Sequence, residues 1–155
     1  MGLRPMKHNR PPAIEVQNRQ RIISLSLRPL NAFAKIALSL AWSQRRRRSN
    51  ISSIPAVLIS IVSDRRMAQL HEKFCGVAGP TDVLTFQHGE IVISGETAAR
   101  QAKNFQTSLD QELRLYIIHG LLHLCGYDDK RPHERATIEP MQRQLLERAF
   151  CLTEV

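Results

Sequence analysis

The sequence has little of what marks secreted, membrane-spanning or nucleotide-binding proteins. It contains only three cysteines, an odd number with no apparent secretory segment, which predicts reduced thiols in a cytoplasmic protein. Charged and polar residues interrupt its most apolar helical stretch, near residues 29–43, so no membrane span is expected. The sequence also shows no internal repeat, no phosphate-binding glycine loop and no Ser/His/Asp set, which removes several common enzyme classes.

Acidic residues are almost missing from the first third of the chain. Residues 1–50 carry 11 Lys and Arg residues against Glu15 alone, whereas the rest carries 11 against 13 acids, for a net charge of +8. Such a basic end predicts an anionic partner, with RNA as the first candidate. The run Arg45, Arg46, Arg47 and Arg48 has no interleaved aromatic residue, which suits phosphate contact better than base stacking. A solvated basic loop is the alternative.

Length and periodicity predict a single α+β domain. We expect residues 1–12, basic and proline-rich, to be a disordered tail, and residues 13–155 to form one domain. Alternating or β-branched segments predict a small mixed sheet of about four strands, at 13–18, 56–62, 83–86 and 90–94. Apolar stripes predict about five helices, at 29–43, 65–74, 96–105, 110–125 and 133–150. Asp64 and Asp110 are the predicted N-caps of the second and fourth helices, and Phe74 is expected to point inward.

The segment His119–Asp129 is the most informative part of the chain. His119 and His123 are four residues apart in an apolar helical run, so they emerge on one side and could chelate one cation. Gly126 is expected to end the helix and to return the following acids towards the histidines. Either Asp128 or Asp129 could then be the third ligand, and His133 is a further candidate. The alternative interpretation is a buried helix that holds two hydrogen-bonded histidines.

Two neighbours of the histidines limit the chemistry of such a site. In His-Glu-x-x-His zinc proteases, a glutamate after the first histidine is the general base. Gly120 occupies that position here, which argues against ordinary peptidase activity. Cys125 lies two residues after His123 and should point away from the metal face, so we expect it to pack in the core.

At these residues the chain resembles the YbeY family of bacterial endoribonucleases, the rRNA maturation factors. That family's signature reads His-Gly-x-Leu-His-Leu-x-Gly-Tyr-Asp-His, and residues 119–129 match every fixed position except the last. Its block Pro-Thr-Asp-Val-Leu-Ser-Phe appears as Pro80–Phe86 with threonine for serine, and its block Gly-Asp-Ile-Val-Ile appears as Gly89–Ile93 with glutamate for aspartate. The resemblance covers residues 13–150 and implies a zincin-like fold, in which the metal helix forms the floor of a cleft.

The resemblance also implies a set of site residues and a function. His119, His123 and Asp129 would hold one Zn²⁺ per chain, with Asp129 in place of the family's third histidine. His119, His123 and Lys73 would be catalytic, and Lys73 with Arg45–Arg48 would bind RNA. The implied function is a single-strand-specific endoribonuclease in maturation of the 16S rRNA 3′ end and in ribosome quality control. Its partners would be rRNA and the small ribosomal subunit, with the protein itself a monomer.

One departure from the family favours a different function. Cys75 stands where the family usually carries an arginine, and Lys73, two residues earlier, lacks the planar fork with which arginine binds phosphate. The competing hypothesis is therefore a non-catalytic ribosome-assembly factor whose zinc is structural. A third hypothesis, a metal hydrolase for a small substrate, predicts activity that does not respond to salt, whereas RNA binding through several phosphates weakens steeply as salt rises.

Overall fold

A computed structural model describes Gly2 and residues 6–153 of the chain. This part forms four strands, β1 (Ala13–Asn18), β2 (Ala56–Val62), β3 (Val83–Phe86) and β4 (Glu90–Ser94). It also forms five α-helices, α1 (Leu27–Ser43), α2 (Asp64–Cys75), α3 (Gly95–Asn104), α4 (Leu109–Leu124) and α5 (Pro132–Thr153). The predicted disordered tail, residues 1–12, lies partly outside the described residues. Residues 6–12 are in neither a helix nor a strand, and the backbone N–H of His8 donates to the carbonyl of Ser52 at 2.7 Å.

The four strands make one mixed sheet in the order β1-β2-β4-β3. β1 runs parallel to β2 and β2 parallel to β4, whereas β3 is antiparallel to β4 and lies at the edge. The central strands hold β-branched residues that suit a pleated surface buried on both faces, and Ile59, Ile61 and Ile91 are fully buried. The prediction of a single α+β domain with a mixed four-stranded sheet and five helices is confirmed.

Helices cover the two faces of the sheet unequally. α1, α4 and α5 pack against one another over the face that carries Ile59 and Ile91, and they enclose the main core. α2 covers the other face through a smaller cluster around Met67 and Val92. α4 approaches β4 closely at Gly120, where a Cβ atom would lie 2.7 Å from Cγ2 of Ile91. Glycine at this position therefore brings the histidine-bearing helix onto the sheet.

Three details differ from the prediction, all near helix ends. Ser63 rather than Asp64 caps α2, since its hydroxyl accepts the backbone N–H of Arg66. Ser108 rather than Asp110 caps α4, in a capping box with Gln111. Both aspartates instead occupy the first turn, where a negative charge suits the helix dipole.

Phe74 is the third difference. We expected its ring to face the core, but the residue is 56% exposed. It lies near the C-terminal end of α2 and makes an edge-on contact with Phe86, at 5.0 Å between ring centroids. None of the helices in the described residues is long and apolar enough to cross a membrane.

Candidate metal centre

Helix α4 presents the two histidines of the site on adjacent turns. His119 and His123 are half-buried, and their Nε2 atoms lie 2.9 Å apart with the rings nearly perpendicular. The spacing of four residues places both imidazoles on one face of the helix, which is local geometry that the sequence dictates. Both ring nitrogens therefore point at the same small volume.

The turn after α4 delivers the third group of the site. Gly126 adopts φ 97°, and the backbone N–H groups of Gly126 and Tyr127 donate to the carbonyls of His123 and Leu122. This pair of hydrogen bonds is a Schellman motif, which ends a helix and turns the chain back on itself. Asp129 then lies beside the histidines, with its carboxylate oxygens 3.3 Å from Nε2 of His119 and 3.7 Å from Nε2 of His123.

The carboxylate of Asp128, one of the rival third ligands, instead accepts hydrogen bonds from the backbone of its own loop. Although its partial burial acts to raise its pKa, hydrogen bonds from the backbone N–H groups of Asp129 and Lys130 hold the pKa of Asp128 below its ordinary value. His133, the other rival, is exposed at the start of α5 and lies outside the group of candidate ligands. The structure thus brings together His119, His123 and Asp129, the set preferred from the sequence.

Helix α5 supplies a partner for one histidine that the sequence analysis missed. Oε1 of Gln142 lies 2.7 Å from Nδ1 of His119. An amide oxygen can only accept, so this contact requires a proton on Nδ1 of His119, and in the neutral ring Nε2 then carries the lone pair. Gln142 follows His119 by 23 residues, and no local pattern links the two positions.

Burial shifts the pKa of the second histidine, His123. Removal from water lowers the pKa of His123, and a positive charge on the neighbouring His119 acts in the same direction. A neutral imidazole offers the nitrogen lone pair that a metal ligand requires. Two imidazole nitrogens and a carboxylate are the donors that zinc prefers among hard and borderline ligands.

The spacing of the donor groups also fits one small cation. Ligand atoms about 2.0–2.1 Å from a tetrahedral zinc lie roughly 3.3 Å from one another. The two Nε2 atoms are 2.9 Å apart, one carboxylate oxygen of Asp129 lies 3.3 Å from Nε2 of His119, and the other oxygen lies 3.7 Å from Nε2 of His123. One ligand atom from each of the three residues lies within 4.8 Å of the others, so modest side-chain adjustment would let the three hold a zinc ion.

The three groups line an open cleft of about 780 Å³. Edge strand β3 and the loop before it form one wall, where Asp82 accepts the backbone N–H of Val83 and the hydroxyl of Thr81. Thr85 on this wall has a buried hydroxyl without a hydrogen-bond partner among the described residues. Arg48 and Cys75 lie on the lining as well. The cleft thus combines a candidate metal centre, an exposed strand edge and one arginine.

The predicted RNA-binding residues are divided by the structure. Arg48 lines the metal cleft, whereas Arg45, Arg46 and Arg47 line a second groove. Lys73 is not part of either lining, and its Nζ lies 5.2 Å from the ring centroid of Phe74. The roles of these residues in RNA binding and catalysis stay predictions. Cys125 is buried in the core, as expected, and burial raises the pKa of its thiol to about 12.

Comparisons with known proteins agree with this architecture. The model of the family "Endoribonuclease YbeY" matches residues 15–149. A protein of that name from Mycolicibacterium gilvum is 32% identical over 120 residues, covering 65% of this chain and 67% of the relative. Another from Mycolicibacterium vanbaalenii is 36% identical over 114 residues, covering 60% and 62%. The chain thus spans about two thirds of the length of the first curated relatives that it matches.

A solved structure supports the fold independently. The solution structure of a Thermotoga maritima protein matches 88% of this chain and 89% of its own chain, with a TM-score of 0.62 at 24% sequence identity. At that identity the likeness concerns the fold alone. The family model, which covers most of the chain including the histidine helix and the turn after it, shows that this protein belongs to the YbeY endoribonuclease family.

Proposed function

We propose that this protein is a metal-dependent endoribonuclease that cuts single-stranded RNA during maturation of the small-subunit rRNA 3′ end and in ribosome quality control. The observation that carries the proposal is the convergence of His119, His123 and Asp129 within an open cleft. Curated relatives bear the name of an endoribonuclease, and the rRNA substrate follows from the resemblance in sequence motifs. The expected partners are therefore rRNA and the small ribosomal subunit, with a cytoplasmic, monomeric protein.

One zinc ion per chain would be held by Nε2 of His119, Nε2 of His123 and the carboxylate of Asp129. When bound, such an ion supplies Lewis acidity to a phosphoryl oxygen or makes a water molecule more acidic. The chain's own groups prepare this position before binding. Gln142 accepts from Nδ1 of His119, and burial favours the neutral form of His123, so Nε2 of each ring would be available to the ion.

Other cleft residues would bind and orient the RNA strand. Arg48 would contact a phosphate next to the scissile one, because a guanidinium can donate two parallel hydrogen bonds to it. Asp82 and Thr81 would shape the wall through their mutual hydrogen bond rather than react. Lys73, at the end of α2 near Cys75, would add positive charge along the path of the backbone outside the cleft.

The alternative function, a non-catalytic assembly factor with a structural zinc, is favoured by Cys75. A thiol lines the cleft where the family usually carries an arginine, so this position lacks a cation that could contact a phosphate. A structural zinc needs a fourth ligand from the protein. Among the described residues the candidate group contains three ligands and borders open space, which supports the enzyme over the assembly factor.

The test is cleavage of a purified small-subunit rRNA precursor by zinc-loaded protein, compared with two histidine variants. His123→Ala removes a proposed ligand, whereas His133→Ala removes an exposed imidazole outside the candidate group. We expect site-specific cutting by the wild type and by His133→Ala, and none by His123→Ala. A protein that holds one tight zinc and leaves the precursor intact would instead establish the assembly factor.

A further inference from the structure

A second groove of about 480 Å³ lies apart from the metal cleft and is strongly basic. Lys7, Arg45, Arg46 and Arg47 line it together with His8. No carboxylate lies on its lining among the residues that the structure describes, and none of its four cations forms an ion pair there. A concave surface with several uncompensated positive charges attracts an anion.

Packing against aromatic rings places two of these cations in defined positions. The guanidinium of Arg45 lies 4.0 Å from the ring centroid of Trp42 and donates to the Trp42 carbonyl at 3.0 Å. The guanidinium of Arg46 lies 4.4 Å from the ring centroid of Tyr127. Because the rings hold them, these arginines lose less conformational freedom on binding an anion than cations of a flexible run would. Their remaining N–H groups are free to donate.

The groove and the metal cleft are both lined by residues of one loop, residues 44–50. Ser49 lines both, and Arg48 enters the cleft while the three preceding arginines enter the groove. The loop is attached to the turn that follows α4, because the N–H of Arg46 donates to the Cys125 carbonyl at 2.9 Å. The hydroxyl of Tyr127 donates to the Gln44 carbonyl at 2.8 Å as a second attachment. A polyanion that leaves the cleft past Arg48 therefore meets the groove next.

We propose that this groove is a second phosphate-binding site, which holds an RNA segment several nucleotides away from the scissile bond. This inference rests on the proposed function for the identity of the polyanion, and it adds that the substrate must be long enough to cross the loop. Arginine forks suit the backbone phosphates. The groove lining contains no Phe, Tyr or Trp on which a base could stack, so we expect no recognition of the bases there. The groove would thus strengthen binding without adding sequence preference.

The test compares two lengths of RNA on the zinc-loaded full chain. The probes are fluorescent single strands of about 5 and about 16 nucleotides with 2′-O-methyl riboses, which resist cleavage, so that binding is measured apart from cutting. The variant is Lys7→Ala/Arg47→Ala, because both side chains are exposed and neither makes a hydrogen bond or ion pair within the described residues. The matched control is Arg143→Ala/Arg148→Ala, which removes the same charge from exposed positions on α5.

We expect the groove variant to bind the long strand roughly 10-fold more weakly and to reduce its salt dependence by about one phosphate contact or more. Its affinity for the short strand, its zinc content and its thermal midpoint should match those of the control. An equal loss for both lengths, or an equal loss in the control variant, would overturn the proposal. Binding of inorganic phosphate alone that vanishes in the groove variant, without a length effect on RNA, would also overturn it and assign the groove to a free anion.

The outcome is separable from that of the nuclease assay. If the wild type cuts no RNA but the groove variant still loses affinity for the long strand alone, the groove proposal stands and the endoribonuclease proposal is refuted. If the wild type cuts RNA but the groove variant binds both lengths as tightly as the wild type does, the endoribonuclease proposal stands and the groove proposal is refuted.

Discussion

Two polar clusters of this protein each centre on an aspartate, and they differ in the groups that surround it. In the first, the carboxylate of Asp64 accepts hydrogen bonds from Ser94 at 2.6 Å and Thr97 at 2.7 Å and pairs with Arg100. In the second, the carboxylate of Asp129 faces two imidazole nitrogens, and its side chain is 40% exposed towards the cleft. The first cluster contains its own cation and hydrogen-bond donors, whereas the second brings two imidazole nitrogens and a carboxylate together without a Lys or Arg partner among the described residues.

This difference separates a structural cluster from a candidate binding site. Although burial acts to raise it, the hydrogen bonds from Arg100, Ser94 and Thr97 hold the pKa of Asp64 below its ordinary value. Folding therefore gains from that ionised carboxylate. At the second cluster, burial lowers the pKa of His123, which favours a neutral imidazole beside Asp129. The second cluster thus has the donor groups that the proposed metal ion requires.

The largest expected effect comes from removing a donor of the second cluster. His123→Ala should weaken zinc binding by more than about 100-fold, beyond the 10- to 100-fold typical when only a partner of a ligand is lost. The free energy of unfolding without metal should change little, because the imidazole is only partly buried and lies on the lining of the open cleft. Zinc stoichiometry and competition with a chromophoric chelator would measure the affinity.

Asp64→Asn should show the reverse pattern at the first cluster. We expect a loss of about 2 kcal/mol in the free energy of unfolding at neutral pH. The reason is that Arg100 loses its ionic partner at a carboxylate that is largely shielded from water. Zinc affinity should stay at the wild-type value. Urea unfolding with and without zinc would show both results, and a loss of zinc from Asp64→Asn would contradict the separation of the clusters.

The same cluster predicts a pH dependence with a definite sign. The pKa of Asp64 is lower in the folded chain than the ordinary value of about 3.9. Its contribution is therefore fully present above that value and is lost as pH falls through the folded pKa. Wild type and Asp64→Asn should thus differ most in stability near neutral pH and should converge once the pH falls below the folded pKa of Asp64. Urea midpoints compared along an acid series would show this.

Gly120→Ala tests the close packing of α4 against β4. Ser94 of the first cluster ends β4, and the histidines of the second cluster lie on α4. The new methyl group would lie 2.7 Å from Cγ2 of Ile91, which is fully buried. Overpacking typically costs about 1–3 kcal/mol, offset in part by the better helix propensity of alanine, so we expect a net loss of about 1–2 kcal/mol. Combination with Ile91→Ala should cost less than the sum of the two single changes, and simple additivity would refute the contact.

The smallest expected effect concerns the partner of His119. Gln142→Leu removes the acceptor of the Nδ1 proton, so the imidazole is free to rotate and to change tautomer. Zinc affinity should fall about 10-fold, in the range found for partners of metal ligands. Gln144→Leu, at an exposed position on the same helix, is the matched control. If both variants bind zinc equally well, Gln142 does not orient the site.

Local sequence patterns predicted the strands and helices well, but they assigned two helix N-caps to the wrong one of two adjacent or nearby candidate residues. All four strands have the predicted bounds, because alternation and β-branched runs between turn residues depend on near neighbours. The N-caps of α2 and α4 were assigned to Asp64 and Asp110, although Ser63 and Ser108 were available next to them. Serine and aspartate are nearly equal as caps. The choice at Asp64 depended on Arg100, which lies 36 residues away.

The sequence by itself determined the part of the site that depends on short-range geometry. A spacing of four residues places His119 and His123 on one face of a helix, and Gly126 returns the chain so that Asp129 reaches them. Only the tertiary structure decided which arginine enters the cleft, which glutamine orients His119, and which aspartate is satisfied internally. These contacts join elements that are far apart in the chain, and no local periodicity encodes which of several similar side chains the packing of helices and strands brings within reach.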